Sequence, residues 1–368
     1  MFRNLLYVEL QQYWFIIISL LGALLVLLFF VQGGQTLLFR IGKNSTERII
    51  LVNSLRRKWP FSFATLVTFG GVFFASFPLF YATSFGGAYW LWMLILFAFV
   101  IQAVSYAFGR RARSISWKKV LEAFLFISGL AGIFLVGIAL ATFFSGSPFS
   151  LDGMNSVTWG NSGRGLEAVT SVFNLSLGLS FLFLARVLGL LYFLNMSDHE
   201  KILSRSTGNL LYNAIPFLFF FLIFFIWLML REGYAVDPES GEVFMEPRKY
   251  LNNLLEMIPV LVMFLAGMAG LLGGIILSLL RSSSYGIWLA GPGTVLVVFS
   301  LFMLAGFNQT AFYPSSTDLQ SSLTIRNASS SRYTLEFISY VSLCIPVVVI
   351  YGAIAWRALS KKIHMNDL

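Results

Sequence analysis

Few side chains in this sequence could do chemistry, and they stand in apolar company. Arg186 lies within LFLARVLGLLYF and Glu122 within KKVLEAFLF. A charge in such a run is costly, so it defaults to a functional expectation: an ion pair, a bound ligand or a partner subunit. The segment KWPFSFATLVTFGGVFF, residues 58–74, spaces the hydroxyls of Ser62, Thr65 and Thr68 along one broad helical face. Upstream, Gln32 and Gln35 bracket two glycines in VQGGQ. Hydroxyls and amides bind water or each other but do not change charge near neutral pH. Histidine is confined to His199 and His364, both outside the apolar runs. The chain therefore offers no pair of intramembrane histidines for haem. Met93, Met229, Met263, Met268 and Met303 read as packing residues rather than axial ligands. The sequence holds no metal-ligand spacing, phosphate loop or nucleophile–base pair. Any redox or catalytic centre is expected on another chain. Cys344 is the single cysteine, so no intrachain disulfide can form.

These residues are carried by membrane spans. Of the 368 residues, 58% are hydrophobic and 11% charged, where a soluble domain has about a quarter charged. A bilayer core needs roughly 20 apolar residues per helix. That length predicts an all-α polytopic protein of nine transmembrane helices, near 11–39, 62–83, 87–108, 118–145, 168–195, 208–230, 255–280, 286–307 and 334–357. We expect one integral membrane domain over 1–368, with approximate halves 1–145 and 168–307 and a final helix at 334–357. The first apolar run is read as a span, not as a cleaved signal.

Basic residues alternate between loops. Arg40, Lys43, Arg48, Arg56, Arg57 and Lys58 fill the first. Arg110, Arg111, Arg113, Lys118 and Lys119 fill the third, and Arg357, Lys361 and Lys362 the tail. The positive-inside rule then places the N-terminus outside and the C-terminus in the cytoplasm. Glu232, Asp237, Glu239, Glu242 and Glu246 share a loop on the outer side. The net charge of +9 faces anionic lipid headgroups, which leaves no basic cluster for nucleic acid.

On this topology Arg186 and Glu122 both fall in the cytoplasmic half. Arg186 lies about nine residues, or about 13 Å, from its helix end, so a buried partner is expected: Glu122 or a neighbouring subunit. For Glu122 the other reading is snorkelling toward the headgroups. Ala266, Gly270, Gly274 and Ser278 recur every four residues, a small-residue stripe suited to close helix approach and a candidate subunit interface. The hydroxyls of Ser62, Thr65 and Thr68 have two readings. They bond back to their own helix, or they face protein or a narrow water path. PFLFFFLIFFIW, apolar all round, reads as partly lipid-facing. The serine-rich stretch 312–335 is either a flexible loop or an ordered cap.

Several segments together resemble subunit II of the cytochrome bd-type quinol oxidases, in a form similar to the Bacteroidota versions. Pro314-Ser315-Ser316, Ser322-Leu323-Thr324, Ala328-Ser329-Ser330-Ser331 and Thr334-Leu335 match the family's run before its last helix. GKNSTERIILVNS, residues 42–54, resembles its basic first loop. GGVFFASFPLFYATSFGGAYW resembles its Gly-Gly…Pro…Tyr-Ala pattern. The resemblance implies two four-helix bundles plus one peripheral helix, in the bacterial inner membrane. It implies a haem-bearing subunit I partner holding two b haems, a haem d or a further b, and the quinol site. The assembly would oxidise quinol, reduce dioxygen to water and contribute to the proton motive force. The resemblance leaves room for a structural quinone or lipid and for a small accessory subunit.

Two departures bear on function. Many relatives have Trp-Asp-Gly-Asn after the first loop, with the acid on a cytoplasmic proton path. Here Trp59 is followed by Pro60-Phe61-Ser62-Phe63. Where the family's first helix often ends Asp-Gly-Phe-Asp, this chain has Gln32-Gly33-Gly34-Gln35. A proton path here would be a water wire along Gln32, Gln35, Ser62, Thr65 and Thr68; otherwise these groups are packing glue. Two rival classes are a secondary transporter with a midplane site near Arg186, its helices broken at prolines such as Pro78 and Pro216, and a membrane scaffold without turnover.

Overall fold

The structure, a computed structural model, describes residues 2–109, 114–281 and 283–360. Arg110, Arg111, Arg113, Lys361, Lys362 and His364 lie outside the described residues. Among the described residues eight helices are long and apolar enough to cross a membrane: Tyr7–Gln35, Ser45–Ser76, Tyr89–Phe108, Ser116–Ser145, Val172–Met196, Glu200–Leu230, Ile258–Leu280 and Gly286–Gly306. They are called the first to eighth helices below. Arg332–Ser342 and Ile345–Ala358 pass the same test together but bend by 42° between them. Counting that pair as a ninth, bent span recovers the expected number. The protein is an all-α polytopic membrane protein.

The second helix departs most from expectation. The basic stretch read as a loop is helical from Ser45, because Asn44 caps it: the Glu47 amide donates to Asn44 Oδ1 at 2.8 Å, and Glu47 reaches back to the amides of Lys43 and Asn44. The helix runs through Pro60 and ends at Ser76 instead of 83. Pro78 starts a fresh turn, followed by a wide turn over Tyr81–Gly87.

The fifth helix is the hub, with 83% of its apolar window buried against 22% for the second. It packs on the fourth, sixth and eighth helices and on the end of the first. Its crossing with the first helix is a backbone contact. A Cβ at Gly33 would overlap the Ala185 carbonyl, and one at Gly189 would lie 2.7 Å from the Gly34 nitrogen. The sixth helix is two-faced, not apolar all round in use. Leu210, Ala214, Phe217, Phe221 and Phe224 are buried, while Leu211, Ile215, Phe219, Leu222 and Ile226 form an exposed stripe.

At one end of the bundle, polar side chains join the loops. Arg205 pairs with Glu47 at 2.6 Å, Arg40 donates to Asn209 at 2.7 Å, and Asn195 donates to the Ser284 carbonyl at 2.9 Å. Lys58, expected at the headgroups, is fully buried. Its ammonium donates to the Trp356 carbonyl and the Ser360 hydroxyl and lies 3.7 Å from the Trp356 ring centre, which ties the last helix to the second.

The opposite end carries two short hairpins, Phe149–Leu151 with Val157–Trp159 and Gly233–Val236 with Val243–Glu246. The stretch 312–335 is an ordered cap over this end. Phe312 and Tyr313 are buried in an aromatic nest with Phe15, Phe80 and Phe143. Ser147 and Pro314–Ser316 exchange backbone bonds, Tyr313 pairs with Leu323, and the Ser330 amide donates to the Ser76 carbonyl. Ser315 Oγ donates to the Phe149 carbonyl, and Gln11 reaches Ser329 at 2.6 Å. Burial pushes the Tyr313 phenol up, against the partial relief of the Ser147 hydroxyl that donates to it.

Gly33→Ala should cost about 3 kcal/mol or more, since neither backbone can yield without moving a helix. Gly208→Ala, where a Cβ meets nothing within 4 Å, should be neutral or stabilising by up to about 1 kcal/mol. Yield of monodisperse protein in mild detergent, with a thermal-unfolding midpoint for each variant, checks the contrast.

Candidate functional site

The expected polar residues converge only in part. Gln32 and Gln35 leave the first helix on the side away from the Gly33 crossing and meet the third helix at Gln102. Gln102 Oε1 accepts from Gln32 Nε2 at 3.0 Å, Gln35 Nε2 at 3.4 Å and the Trp59 indole at 2.9 Å. Its Nε2 donates to the Ser128 carbonyl of the fourth helix at 3.3 Å. Ser62 donates to Gln32 Oε1 at 3.1 Å, and Gln35 donates to the Tyr106 hydroxyl at 2.8 Å. The glutamines and Ser62 are fully buried, and Tyr106 is nearly so. One cluster of amides and hydroxyls thus joins the first four helices. Its Gln35 Oε1 has no partner among the described residues.

Thr65 and Thr68 do not join it. Thr65 is half-buried, and Thr68 is exposed on the second helix. Helical spacing put all three hydroxyls on one broad face, but the first and third helices reach only its Ser62 edge. Gln102, Tyr106 and Trp59 were missed as site residues. The signal was a glutamine in the apolar run WLWMLILFAFVIQAVSYAF, with an aromatic hydroxyl four residues later.

The intramembrane charges do not pair with each other. Glu122 is bound by Arg48 at 2.8 Å, both side chains being 16% exposed, so it neither snorkels nor meets Arg186. Arg186 is half-buried between the fifth and sixth helices, where its Nε donates to Asn213 Oδ1 at 2.7 Å and its guanidinium lies 6.0 Å from the Phe183 ring. Among the described residues no carboxylate comes within 4 Å of it. The buried partner is real but neutral.

The small-residue stripe also resolves within the chain. Gly270 and Gly274 face the eighth helix, where a Cβ at Gly274 would lie 2.7 Å from the Ala290 nitrogen and one at Gly270 3.3 Å from the Leu289 carbonyl. Ala266 is exposed, and its neighbour Gly267 takes the packed position, where a Cβ would lie 2.9 Å from the Gly293 carbonyl. These residues build a hairpin of the seventh and eighth helices, so for Gly270 and Gly274 the contact is internal.

Among the described residues no carboxylate bonds to the amide cluster. It can orient water or hold helices, and of its members only Tyr106 can exchange a proton through its own ionisation. Among the described residues no group of three or more His, Cys, Asp or Glu could hold a metal ion.

Comparison with known proteins bears on the family and the fold. The sequence profile described as "Cytochrome bd terminal oxidase subunit II" matches residues 10–359. A "Probable cytochrome oxidase subunit 2" of Haemophilus influenzae is 27% identical, covering 95% of this chain and 92% of that protein. The "Cytochrome bd-I ubiquinol oxidase subunit 2" of Escherichia coli is 25% identical over 89% of this chain and 88% of its own. In fold, the chain is similar to one from "The structure of bd oxidase from Geobacillus thermodenitrificans", with TM-score 0.58 at 12% identity, covering 95% and 96% of the two chains.

Gln102→Leu should destabilise the protein by about 2–3 kcal/mol, because two buried amides and the half-buried Trp59 indole lose their acceptor. Asn213→Leu should cost more than Arg186→Leu, since it leaves a half-buried cation without its acceptor. Unfolding midpoints of the purified protein check both orders; equal values for the second pair would make the Arg186–Asn213 bond energetically idle.

Proposed function

The chain belongs to the cytochrome bd terminal oxidase subunit II family, and from that premise we propose that it is the haem-free structural and assembly subunit of its complex. Membership makes it one multi-pass subunit of a quinol oxidase, an oxidoreductase, and implies a subunit I partner. We assign the redox centres to that partner: two b haems, a haem d or further b, and the site where membrane quinol gives up electrons and protons. Dioxygen takes the electrons and is reduced to water, and quinol protons released outside contribute to the proton motive force. The complex sits in the bacterial inner membrane with this chain's basic end in the cytoplasm.

The observation that carries this reading is the family match over nearly the whole chain, together with the distribution of histidine. Among the described residues no histidine occurs within a membrane-length helix; His199 stands just before the sixth. The transporter reading has no support in the fold, where Arg186 is engaged by Asn213.

The amide cluster favours packing glue over a water wire. Its members bond to one another directly, and Thr65 and Thr68 stand outside it. Proton delivery is assigned to the partner subunit.

Two measurements test the proposal. A tagged chain purified from its native membrane should bring down haem bands in a reduced-minus-oxidised spectrum, while the chain expressed alone should be colourless. Absence of haem from the native preparation would sink the oxidase reading. Ser62→Ala should lower stability by about 1 kcal/mol yet leave oxygen reduction per haem within about twofold. A tenfold slower turnover at normal haem content would restore the water path.

A further inference from the structure

A cavity of about 420 Å³ lies between the second, third and fourth helices at the basic end of the bundle. Its polar lining is dominated by donors. Arg56 and Asn53 come from the second helix, Lys118 from the fourth, and Tyr106 from the third. The Tyr106 hydroxyl already accepts from Gln35, so its own proton is left to donate. Glu122 also lines the cavity, but Arg48 holds its carboxylate at 2.8 Å, so the acid is neutralised in place. The rest of the wall is hydrocarbon, including Val52 and Leu121. On the third and fourth helices Val104, Phe108, Val120 and Phe124 are exposed beside it. Cations and donors above an apolar floor, beside an apolar outer surface, match one ligand chemistry: a phosphate diester carried on acyl chains.

We propose that this cavity binds the headgroup of an anionic phospholipid from the leaflet at the basic end. The phosphate lies between Arg56 and Lys118, and the acyl chains run along the exposed faces of the third and fourth helices. Basic pockets between membrane helices select anionic lipids in this way, since each nearby cation strengthens binding while the hydrocarbon is shared by all phospholipids. A zwitterionic lipid gains little from the two cations, and free phosphate lacks the chains. The site is independent of where the haems lie.

The test uses the intact complex, delipidated in detergent and titrated with phosphatidylglycerol, phosphatidylcholine or inorganic phosphate. Native mass spectrometry reads bound lipid, and the unfolding midpoint reads stabilisation. Phosphatidylglycerol should bind and raise the midpoint, and phosphatidylcholine should bind more weakly. Arg56→Gln and Lys118→Gln should each weaken phosphatidylglycerol binding about fivefold, in line with the loss of one surface cation. If the Arg56 variant does not assemble, the Lys118 variant, altered at an exposed position, carries the test alone. Equal retention of both lipids by wild-type and variant protein would overturn the proposal. So would stabilisation by inorganic phosphate matching that by lipid, which would make the site one for the free anion.

Discussion

The first helix must touch the fifth backbone to backbone, and most of the membrane interior follows from that contact. Gly33 and Gly34 lie against Ala185 and Gly189 with no room for a methyl group. Between apolar helices in lipid there is little hydrophobic force, so close approach and polar bonds hold them together. The same turn of helix supplies both. Its glycines draw the first helix onto the hub, and Gln32 and Gln35 beside them lock it to the third helix at Gln102. A larger residue at the glycines would push the amides away from their acceptor, so packing and hydrogen bonding fail together.

The two ends of the molecule are closed by different means. At the basic end the ties are charged: Glu47 with Arg205, Glu122 with Arg48, and Lys58 with the end of the last helix. Glu47 and Glu122 are each held there by a guanidinium, so neither stands as an uncompensated charge. At the other end neutral ties dominate, beside the ion pairs Arg3–Glu336 and Lys249–Glu246. Phe312 and Tyr313 fill an aromatic nest, and serine hydroxyls satisfy the backbone of an irregular stretch that water could otherwise attack. The serine content of that stretch is the means by which a loop without regular structure becomes rigid.

Membership in the subunit II family places the chain in a quinol oxidase complex, and the interior is consistent with a supporting part in it. The interior amides of Gln32, Gln35 and Gln102 bond to one another, with Gln35 Oε1 alone left without a partner among the described residues of that cluster. A group that cannot change charge and is already bonded on several sides holds helices well and moves protons poorly. The exposed apolar stripe of the sixth helix and the bent last span offer surface to lipid or to a neighbouring chain without disturbing that core.

Much of this was legible in the residues alone. Apolar run length determined the span count, because hydrocarbon thickness sets helix length whatever the packing. The family was legible in the Pro-Ser-Ser to Thr-Leu stretch, since an ordered cap demands particular residues at particular places. What only the tertiary structure decided was partnership. Arg186 and Glu122 looked like a pair from depth alone, yet each found a nearer ligand, Asn213 and Arg48, that no spacing rule would single out. Ser62 entered the amide cluster while Thr65 and Thr68 did not, because a helix face is broad and its neighbours cover one edge of it. Ala266 and Gly267 exchanged roles for the same reason: a stripe in sequence names the helix that packs closely, but the crossing angle chooses which of two adjacent small residues meets the neighbour. Local chemistry sets what each helix needs, and the relative rotation of the helices sets which residue supplies it.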